Sequence, residues 1–597
     1  MTRRRAAANF TRLALLALLA AAAPARPDDS RVAHAERDQD NWLTYGHGFA
    51  NQRYSELRQI DTSNVAHLAP AWIFQTGVVG TFPTNPLVVD GVMYLTTPFN
   101  HVIALDAATG ALKWRYTHKL GTDKLCCGSH NRGLAWSDGR LFMITADARL
   151  LALDAASGKV LWDIPVADPT TGDPADLAAI GQYDPAHHEA FDRATRFAGN
   201  MAPLVYDGMV FVGVSGTGYS AVLGDAEKSG ASELGKPGVR DGLRAFLTAY
   251  SVADGRLVWR WYSTASKGWE GGFVDKTAFG DPLPRDTAAE RASAAQYRDA
   301  WKTGGGSIFS TPSIDAEHGL IYFGTGNASP GYQDYKRPGD NLYTSSVVAL
   351  DIASGALRWY HQIVPHDLWG YDMSSPPLLL DLPGSGREPL PVLAAASKSG
   401  WMYVINRLTG APIRRSQAFV PQDQTMFRRA TAEGIDVLPG AAGGANWPPS
   451  AYSPQTGWVY VPATDGSTHY QLQKDAQGKP VTVMSFRDDV PRSGTLTAID
   501  PADGTLKWQL KTDLPMVSGA LATAGGLVFA GESNGDFDAV DARSGKRLWR
   551  FATGAGVNAP PITYRINGRQ YVAVAAGGHA LFKFPLGDAV IAFALPE

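Results

Sequence analysis

The sequence predicts an all-β fold, an eight-bladed β-propeller with long loop insertions on one face. The first observation is an eleven-residue phrase, Ala-x-Asp-x-x-(Thr/Ser)-Gly-x-x-x-Trp, that recurs along the chain. The second is the spacing of its copies, which matches the roughly 40 to 50 residues of a four-stranded blade. The third is a set of hairpin patterns between the copies, with Asp-Gly or Gly-Gly at the turn.

The phrase occurs eight times when two divergent copies are included. A degenerate copy without tryptophan covers residues 404–413, and Trp72 ends another divergent copy. In each copy, alternating apolar residues predict a strand and Asp-x-x-Thr-Gly predicts a turn in which glycine takes a positive φ. The final tryptophan suits packing between neighbouring sheets. The six regular copies end at Trp114, Trp162, Trp259, Trp359, Trp508 and Trp549.

The spacing of the tryptophans also locates the insertions. Copies in short units lie 41 to 48 residues apart, but the gaps that end at Trp259 and Trp359 are 97 and 100 residues long. Loops of this length on one face of a propeller usually carry function. The sequence shows no helical periodicity of any length. Three segments without a strand pattern fit the insertions, residues 168–198, 220–242 and 266–304.

Hairpins and a final strand complete the predicted ring. The C-terminal segment VIAFALP, residues 590–596, is a lone strand that we expect to join the N-terminal blade and close the ring, which leaves no sheet edge open. Strand-turn-strand patterns occupy residues 87–97, 134–146, 204–214 and 521–531.

The N-terminus has the pattern of a signal peptide. Arg3, Arg4 and Arg5 precede an apolar run at residues 13–23 that is too short to span a bilayer, and a small-x-small site follows at residues 23–25. We therefore expect cleavage of residues 1–25, which leaves residues 26–597 as one propeller domain; an uncleaved anchor is the alternative. No later stretch is long and apolar enough to cross a membrane.

Charge and cysteine content narrow the function. The net charge is −3 and no basic stripe is present, which argues against nucleic acid as a partner. The only cysteines are adjacent, Cys126 and Cys127. Export favours a disulfide between them, and two buried thiols are the alternative. The sequence has no Cys-x-x-Cys-His motif for a covalent haem.

Several motifs, taken in order with the repeated phrase, resemble one known family. They are CCGSHNRG at 126–133, YFGTGN at 322–327, RPGDNLYTSSVVALD at 337–351 and VPHDLW at 364–369. Together they resemble the pyrroloquinoline quinone (PQQ)-dependent alcohol dehydrogenases over nearly the whole mature chain. The resemblance implies a periplasmic enzyme that passes hydride from an alcohol or polyol to PQQ beside a calcium or lanthanide ion. Because the sequence has no haem-attachment motif, we expect the electrons to leave to a separate cytochrome c-type acceptor.

The resemblance assigns cofactor contacts by position. Cys126 and Cys127 match a disulfide that lies over one face of the quinone, and Phe309 replaces the family tryptophan on the other face. Arg132 matches the residue that contacts the quinone carboxylates, for which a guanidinium fork is suited. The remaining cofactor contacts implied are Thr145, Ser215, Gly216, Thr217, Ser307, Lys398 and Asn446.

The metal and catalytic positions depart from the family. Asn327 matches an amide ligand to the ion, but the family's metal-binding Glu is Gly218 here, for which Glu233 is a possible substitute. The family's catalytic Asp is Gly370. Asp372 matches an additional Asp of lanthanide-type members, so it is the candidate for both metal ligand and catalytic base. These losses keep a second function open, a non-catalytic propeller that acts in binding or assembly.

Overall fold

A computed structural model describes most of the chain as a ring of β-sheets. The described residues are 30–120, 124–125, 129–167, 198–215, 221–222, 243–331, 333–384, 388–474, 478–486, 489–580 and 582–596. Within them the strands form eight four-stranded antiparallel sheets, one of which gains a short parallel strand at its edge. The eight-bladed fold prediction is therefore confirmed, and we number the blades 1 to 8 along the chain.

Blades 1 to 4 follow one another directly in the sequence. Blade 1 comprises Leu87–Val89, Val92–Thr96, Val102–Asp106 and Leu112–Tyr116. Blade 2 comprises Ala135–Ser137, Arg140–Ile144, Arg149–Asp154 and Val160–Pro165. Blade 3 comprises Leu204–Tyr206, Met209–Gly213, Phe246–Ser251 and Leu257–Tyr262. Blade 4 comprises Ser313–Asp315, Leu320–Gly324, Ser346–Asp351 and Leu357–Gln362.

Blades 5 to 8 continue the ring, and the last two include N-terminal strands. Blade 5 comprises Leu378–Leu382, Leu390–Ala396, Met402–Asn406 and Pro412–Arg415. Blade 6 comprises Ala451–Ser453, Trp458–Asp465, Ser493–Ile499 and Leu506–Thr512. Blade 7 comprises Leu521–Thr523, Leu527–Gly531, Asp536–Asp541 and Arg547–Ala552, with Tyr54–Ser55 at its edge. Blade 8 comprises Ile562–Ile566, Arg569–Ala576, Ala589–Ala594 and Ala69–Gln75.

The tryptophans of the repeated phrase join neighbouring blades. Each of the seven donates its indole N–H to a backbone carbonyl of the next unit, as Trp114 Nε1 does to Ala155 O at 3.0 Å. The degenerate copy has no tryptophan, and Gln417 N instead donates to Gly504 O at 2.8 Å between blades 5 and 6. The central strands are buried on both faces because each sheet packs between two others.

The ring closes as the sequence predicts. Ala589–Ala594 pairs with Ala69–Gln75 on one side and with Arg569–Ala576 on the other. The four hairpin predictions are also confirmed, since each segment forms the first two strands of a blade. The two chain ends thus share blade 8, so this sheet holds the ring shut.

Two features outside the blades were not predicted. A second sheet of three strands, here called the insertion sheet, interrupts blade 6 and consists of Ile435–Val437, Thr468–Lys474 and Pro480–Ser485. A helix, Thr287–Ser293, forms in the 266–304 insertion, with the Asp286 side chain as its N-cap. The expectation of no helix fails here because seven residues with none buried are too few to create a periodic apolar face.

The other regular segments are short. A two-stranded pair joins Lys124–Leu125 to Ala221–Val222. Single helical turns are Ser30–Ala33, Ala35–Arg37, Val65–His67, Pro98–Asn100, Ala300–Thr303 and Asp334–Lys336. In the part of the chain that the structure describes, no helix has the length and apolarity needed to cross a membrane.

Candidate active site

One cavity lies where loops from the same end of several blades meet. Because neighbouring strands run antiparallel, the first strand of a blade begins at the edge where its second strand ends. The cavity is lined by segments before the first strands and after the second strands of blades 2 to 6 and 8. Its position at this edge follows from the repeat, since every blade delivers its loops to the same face.

Asp372 lies at the centre of the polar part of the cavity. Its Oδ2 accepts a hydrogen bond from Lys398 Nζ at 2.5 Å, and its Oδ1 accepts one from the backbone N–H of Asn327 at 2.5 Å. Asp372 and Lys398 are both buried, with 7% and 8% of their surface exposed. A short ion pair therefore joins the loop before blade 5 to the loop after its second strand.

Arg132 lies near two aromatic rings of the cavity. Its guanidinium carbon is 5.5 Å from the ring centre of Phe309 and 5.6 Å from that of Trp447. Its Nη1 donates to Asn200 Oδ1 at 2.9 Å. The two rings and the Asn200 bond hold the positive charge of Arg132 at the cavity wall.

Two further titratable groups line the cavity. Burial raises the pKa of Asp367 to about 6, with a smaller contribution from the Asp372 carboxylate. Asp367 Oδ1 accepts hydrogen bonds from the backbone N–H groups of Trp369 and Gly370. Burial, with the charge of Arg132, lowers the pKa of His579 to about 3, so its imidazole is neutral near pH 7.

Eight of the residues predicted from the sequence meet in this cavity. They are Arg132, Ser215, Ser307, Phe309, Asn327, Asp372, Lys398 and Asn446. Thr145 does not line it, because its Oγ1 points into its own turn, donating to Arg149 O at 3.2 Å and accepting from Arg149 N at 3.0 Å. Five other predicted residues lie outside the described residues, namely Cys126, Cys127, Gly216, Thr217 and Glu233.

The sequence reasoning missed another part of the lining. Asp367 lies inside the VPHDLW motif and Trp447 follows Asn446, so both adjoin predicted residues. Phe582 and His579 follow the second strand of blade 8, where nothing in the sequence marks a site. The further missed lining residues include His130, Asn200, Met484 and Phe486.

Comparison with known proteins places this geometry in a family. The family model described as the PQQ glucose/ethanol/alcohol dehydrogenase β-propeller domain matches residues 42–426 and 490–572. The chain belongs to the PQQ-dependent alcohol dehydrogenase family. A quinohemoprotein alcohol dehydrogenase from Comamonas testosteroni is 32% identical over 94% of this chain and 75% of its own length. The lanthanide-dependent methanol dehydrogenase of Methylacidiphilum fumariolicum (strain SolV) is 31% identical, covering 96% of this chain and 90% of its own length.

Solved structures give the same assignment. A europium-containing methanol dehydrogenase superimposes with a TM-score of 0.75 at 29% identity, covering 95% of this chain and all of that one. The crystal structure of the Comamonas testosteroni quinohemoprotein enzyme also gives a TM-score of 0.75, covering 96% of this chain and 84% of that chain. This PQQ-family chain therefore shares the whole propeller with its relatives.

The cavity fits a flat, anionic cofactor such as the quinone of this family. Aromatic walls are supplied by Phe309 and Trp447, and cationic groups by Arg132 and Lys398. Within the described residues, two buried nitrogen atoms of the lining, Trp447 Nε1 and His579 Nδ1, have no hydrogen-bond partner. A bound ring system with carboxylate and carbonyl oxygens would supply partners that such buried polar atoms require.

The described residues supply part of a site for a hard cation. The backbone N–H of Asn327 contacts the Asp372 carboxylate, and both residues carry side-chain oxygen, the donor that calcium and lanthanide-like ions prefer. No cluster of three or more His, Cys, Asp or Glu side chains occurs among the described residues. Such ions take roughly six to eight oxygen ligands, so other donors would have to complete the shell.

Proposed function

We propose that this chain is a periplasmic quinoprotein that oxidises an alcohol or polyol to the carbonyl compound with PQQ as the electron acceptor. The observation that carries the proposal is the cavity in which Arg132, Lys398 and Asp372 meet beside aromatic walls. The two cysteines are adjacent and form no haem-attachment motif. Electrons therefore leave to a separate cytochrome c-type acceptor.

Different residues of the cavity would bind the different parts of the cofactor and the ion. PQQ would supply a two-electron acceptor for the hydride of the alcohol, and a calcium or lanthanide ion would supply a Lewis acid. Asn327 and Asp372 would hold the ion, and the fork of Arg132 would bind a carboxylate. Lys398 would contact a quinone oxygen, Ser215, Ser307 and Asn446 would contact the cofactor edge, and Phe309 would cover one ring face.

Asp372 is the proposed catalytic base. A positioned carboxylate that takes the hydroxyl proton typically contributes about 10²- to 10⁴-fold to a rate. Lys398 Nζ and the Asn327 N–H fix the orientation of this carboxylate in the cavity. Asp372 would accept the alcohol proton at a carboxylate oxygen, while the buried surroundings exclude bulk water.

A second function is favoured by one feature of the sequence. Gly370 and Gly218 occupy the positions of two family carboxylates. A propeller without them could retain the cofactor or a partner as a binding or assembly scaffold. The two functions differ in turnover, and only the enzyme requires the cofactor.

Reconstitution of the purified protein separates these functions. The protein is incubated with PQQ and either Ca²⁺ or La³⁺, freed of unbound quinone by gel filtration, and tested for quinone absorbance and dye-linked alcohol oxidation. Retained quinone with turnover supports the enzyme, and retained quinone without turnover supports the scaffold. Failure to retain quinone contradicts the enzyme.

An arginine pair tests whether the cavity is the binding site. Arg132→Gln should lower quinone retention, because it removes the fork from the cavity wall. Arg260→Gln is the matched control, since Arg260 also lies over an aromatic ring, that of Phe246 at 3.9 Å, but outside the cavity. Equal retention by both variants and the wild type would place the quinone elsewhere.

A further inference from the structure

The lining of the cavity combines buried polar residues with half-buried apolar ones. Arg132, Asp372 and Lys398 are each less than a tenth exposed. The apolar residues Leu368, Phe486 and Phe582 retain partial exposure. A substrate bound in this cavity therefore meets apolar side chains as well as the polar groups.

Two separate segments of the chain contribute aromatic residues to the apolar part of the lining. The insertion sheet carries Met484 in its last strand and Phe486 just beyond that strand. Phe582 comes from the loop after the second strand of blade 8. The Phe486 and Phe582 ring centres lie 6.2 Å apart at 70°, and Phe582 stacks on Trp447 at 6.0 Å and 12°.

Phe486 and Phe582, here called the aromatic wall, make further contacts. The Arg492 guanidinium lies over Phe486 at 5.8 Å and over Phe582 at 5.7 Å. The His579 ring centre is 4.7 Å from that of Phe582. These contacts set the orientation of both rings at the cavity.

The lining also includes small residues that leave space. Gly370 has no side chain, and a Cβ placed on it would meet only the Ala441 Cβ, at 3.4 Å, within 4 Å. Ala442 also lines the cavity. The absence of a bulky side chain at these positions leaves room for a substituent between them and the aromatic wall.

We propose that this wall selects alcohols with a bulky apolar substituent, above all an aryl group, and that Phe486 and Phe582 determine this specificity. The inference rests on the proposed alcohol oxidation and narrows its substrate class. Polyols are disfavoured because the side chains of Met484, Phe486 and Phe582 offer no hydrogen-bond partner to additional hydroxyl groups. Methanol is disfavoured because it leaves the apolar surface uncovered.

Competition between alcohols tests the specificity. The quinone-loaded enzyme should give a kcat/KM for benzyl alcohol at least about a hundredfold above those for methanol and glycerol, a ratio that a few lost hydrophobic contacts produce. Phe486→Ala and Phe582→Ala should each lower that ratio by about tenfold. Phe486→Leu should restore part of it because leucine refills some of the apolar volume.

Controls and a turnover-independent measurement complete the test. Phe273→Ala removes a half-buried ring that also lies under an arginine, Arg291 at 4.4 Å, but outside the cavity, and should leave the ratio unchanged. Saturation-transfer NMR on the quinone-loaded protein should detect benzyl alcohol and not glycerol, with the signal reduced in both cavity variants. A protein that is inert but still binds benzyl alcohol in this way would contradict the proposed function. It would support the role of the aromatic wall in binding the apolar substituent.

Two results would overturn the inference. One is an active enzyme with equal or higher kcat/KM for glycerol or methanol. The other is NMR binding of benzyl alcohol that neither Phe486→Ala nor Phe582→Ala weakens. Neither result would contradict alcohol oxidation itself, so the two failures are distinguishable.

Discussion

At the scale of single residues, the Asp372 carboxylate connects three loops. It bonds to Lys398 in blade 5 and to the backbone of Asn327 in blade 4. An ion pair of this kind, less than a tenth exposed, is strongly directional but adds little net stability, because desolvation offsets the attraction. The ion pair with Lys398 therefore orients the Asp372 carboxylate more than it stabilises the fold.

Asp372→Asn should abolish most of the alcohol oxidation while preserving the fold. The amide keeps the shape of the side chain but cannot accept the alcohol proton, so we expect a loss of about 10²- to 10⁴-fold in kcat. Asp281→Asn is the matched control, since Asp281 is also ion-paired, to Arg415 at 2.5 Å, but lies outside the cavity. Dye-linked kinetics and thermal melts of both variants test this prediction. A fully active Asp372→Asn variant would show that Asp372 is not the catalytic base.

Gly370→Asp tests whether the family carboxylate can be restored. Gly370 has a φ of +77°, where a side chain costs about 1–2 kcal/mol, with Asp among the better tolerated residues. The variant should melt lower but place a third carboxylate in the cavity, beside Asp367 and Asp372, and raise the oxidation rate. Gly370→Asn carries the same strain without the base, and a rate equal in both variants would show that the added carboxylate does nothing.

The Asp367 side chain should make stability depend on pH. Its folded pKa, raised to about 6, lies above the usual value of an unfolded Asp, so its protonated form stabilises the folded state. That contribution is complete below about pH 4 and is lost as pH rises through 6, on the order of 2–3 kcal/mol. Melting temperatures of Asp367→Asn relative to wild type should therefore increase from pH 4 to pH 7; a constant difference would contradict the raised pKa.

At the scale of elements, six of the described blade turns pack a glycine against the tryptophan of the preceding blade. A Cβ on Gly545 would lie 2.5 Å from Trp508 Cε3, and Gly545 has a φ of +69°. The Asp-x-x-Thr-Gly turn thus needs glycine for conformation and for space. The same contact recurs elsewhere, for example between Gly158 and Trp114.

Gly545→Ala should therefore destabilise more than backbone strain alone explains. Gly568→Ala is the matched control, with a φ of +80° and nothing within 4 Å of its Cβ. We expect overpacking to add about 1–3 kcal/mol to the cost in Gly545→Ala. Thermal melts of both variants measure the difference; equal melting temperatures would mean that the tryptophan moves aside freely.

Features that a local sequence pattern encodes could be predicted from the sequence, and features that depend on long-range contacts could not. Each copy of the repeated phrase contains the residues of its strands, its turn and the interblade tryptophan. Blade number and ring closure could therefore be predicted from the sequence. The insertion sheet was not, because Thr468–Lys474 and Pro480–Ser485 contain few of the apolar residues that mark a buried strand. Phe582 and His579 reach the cavity only through the closure of blade 8, a long-range contact that no local pattern encodes.

At the scale of the whole molecule, both chain ends meet in blade 8. Ala589–Ala594 lies between Ala69–Gln75 and Arg569–Ala576. Loss of this strand would leave two buried edges without partners. The propeller should therefore depend on its last strand more than on any surface loop.

Deletion of residues 589–597 should prevent formation of soluble, folded protein. Deletion of residues 596–597 alone is the control, because the final strand ends at Ala594. Soluble yield and far-ultraviolet circular dichroism measure the outcome. Normal yield and melting of the longer deletion would mean that the N-terminal strand can close the ring by itself.

The missing tryptophan between blades 5 and 6 gives the ring one seam. Seven indole bonds join the other neighbouring blades, whereas this junction relies on backbone and glutamine contacts such as that of Leu506 N with Gln417 Oε1. Lys398 and Asn446 stand on opposite sides of it. Two residues proposed to contact the cofactor therefore flank the one junction between described blades that has no indole bond.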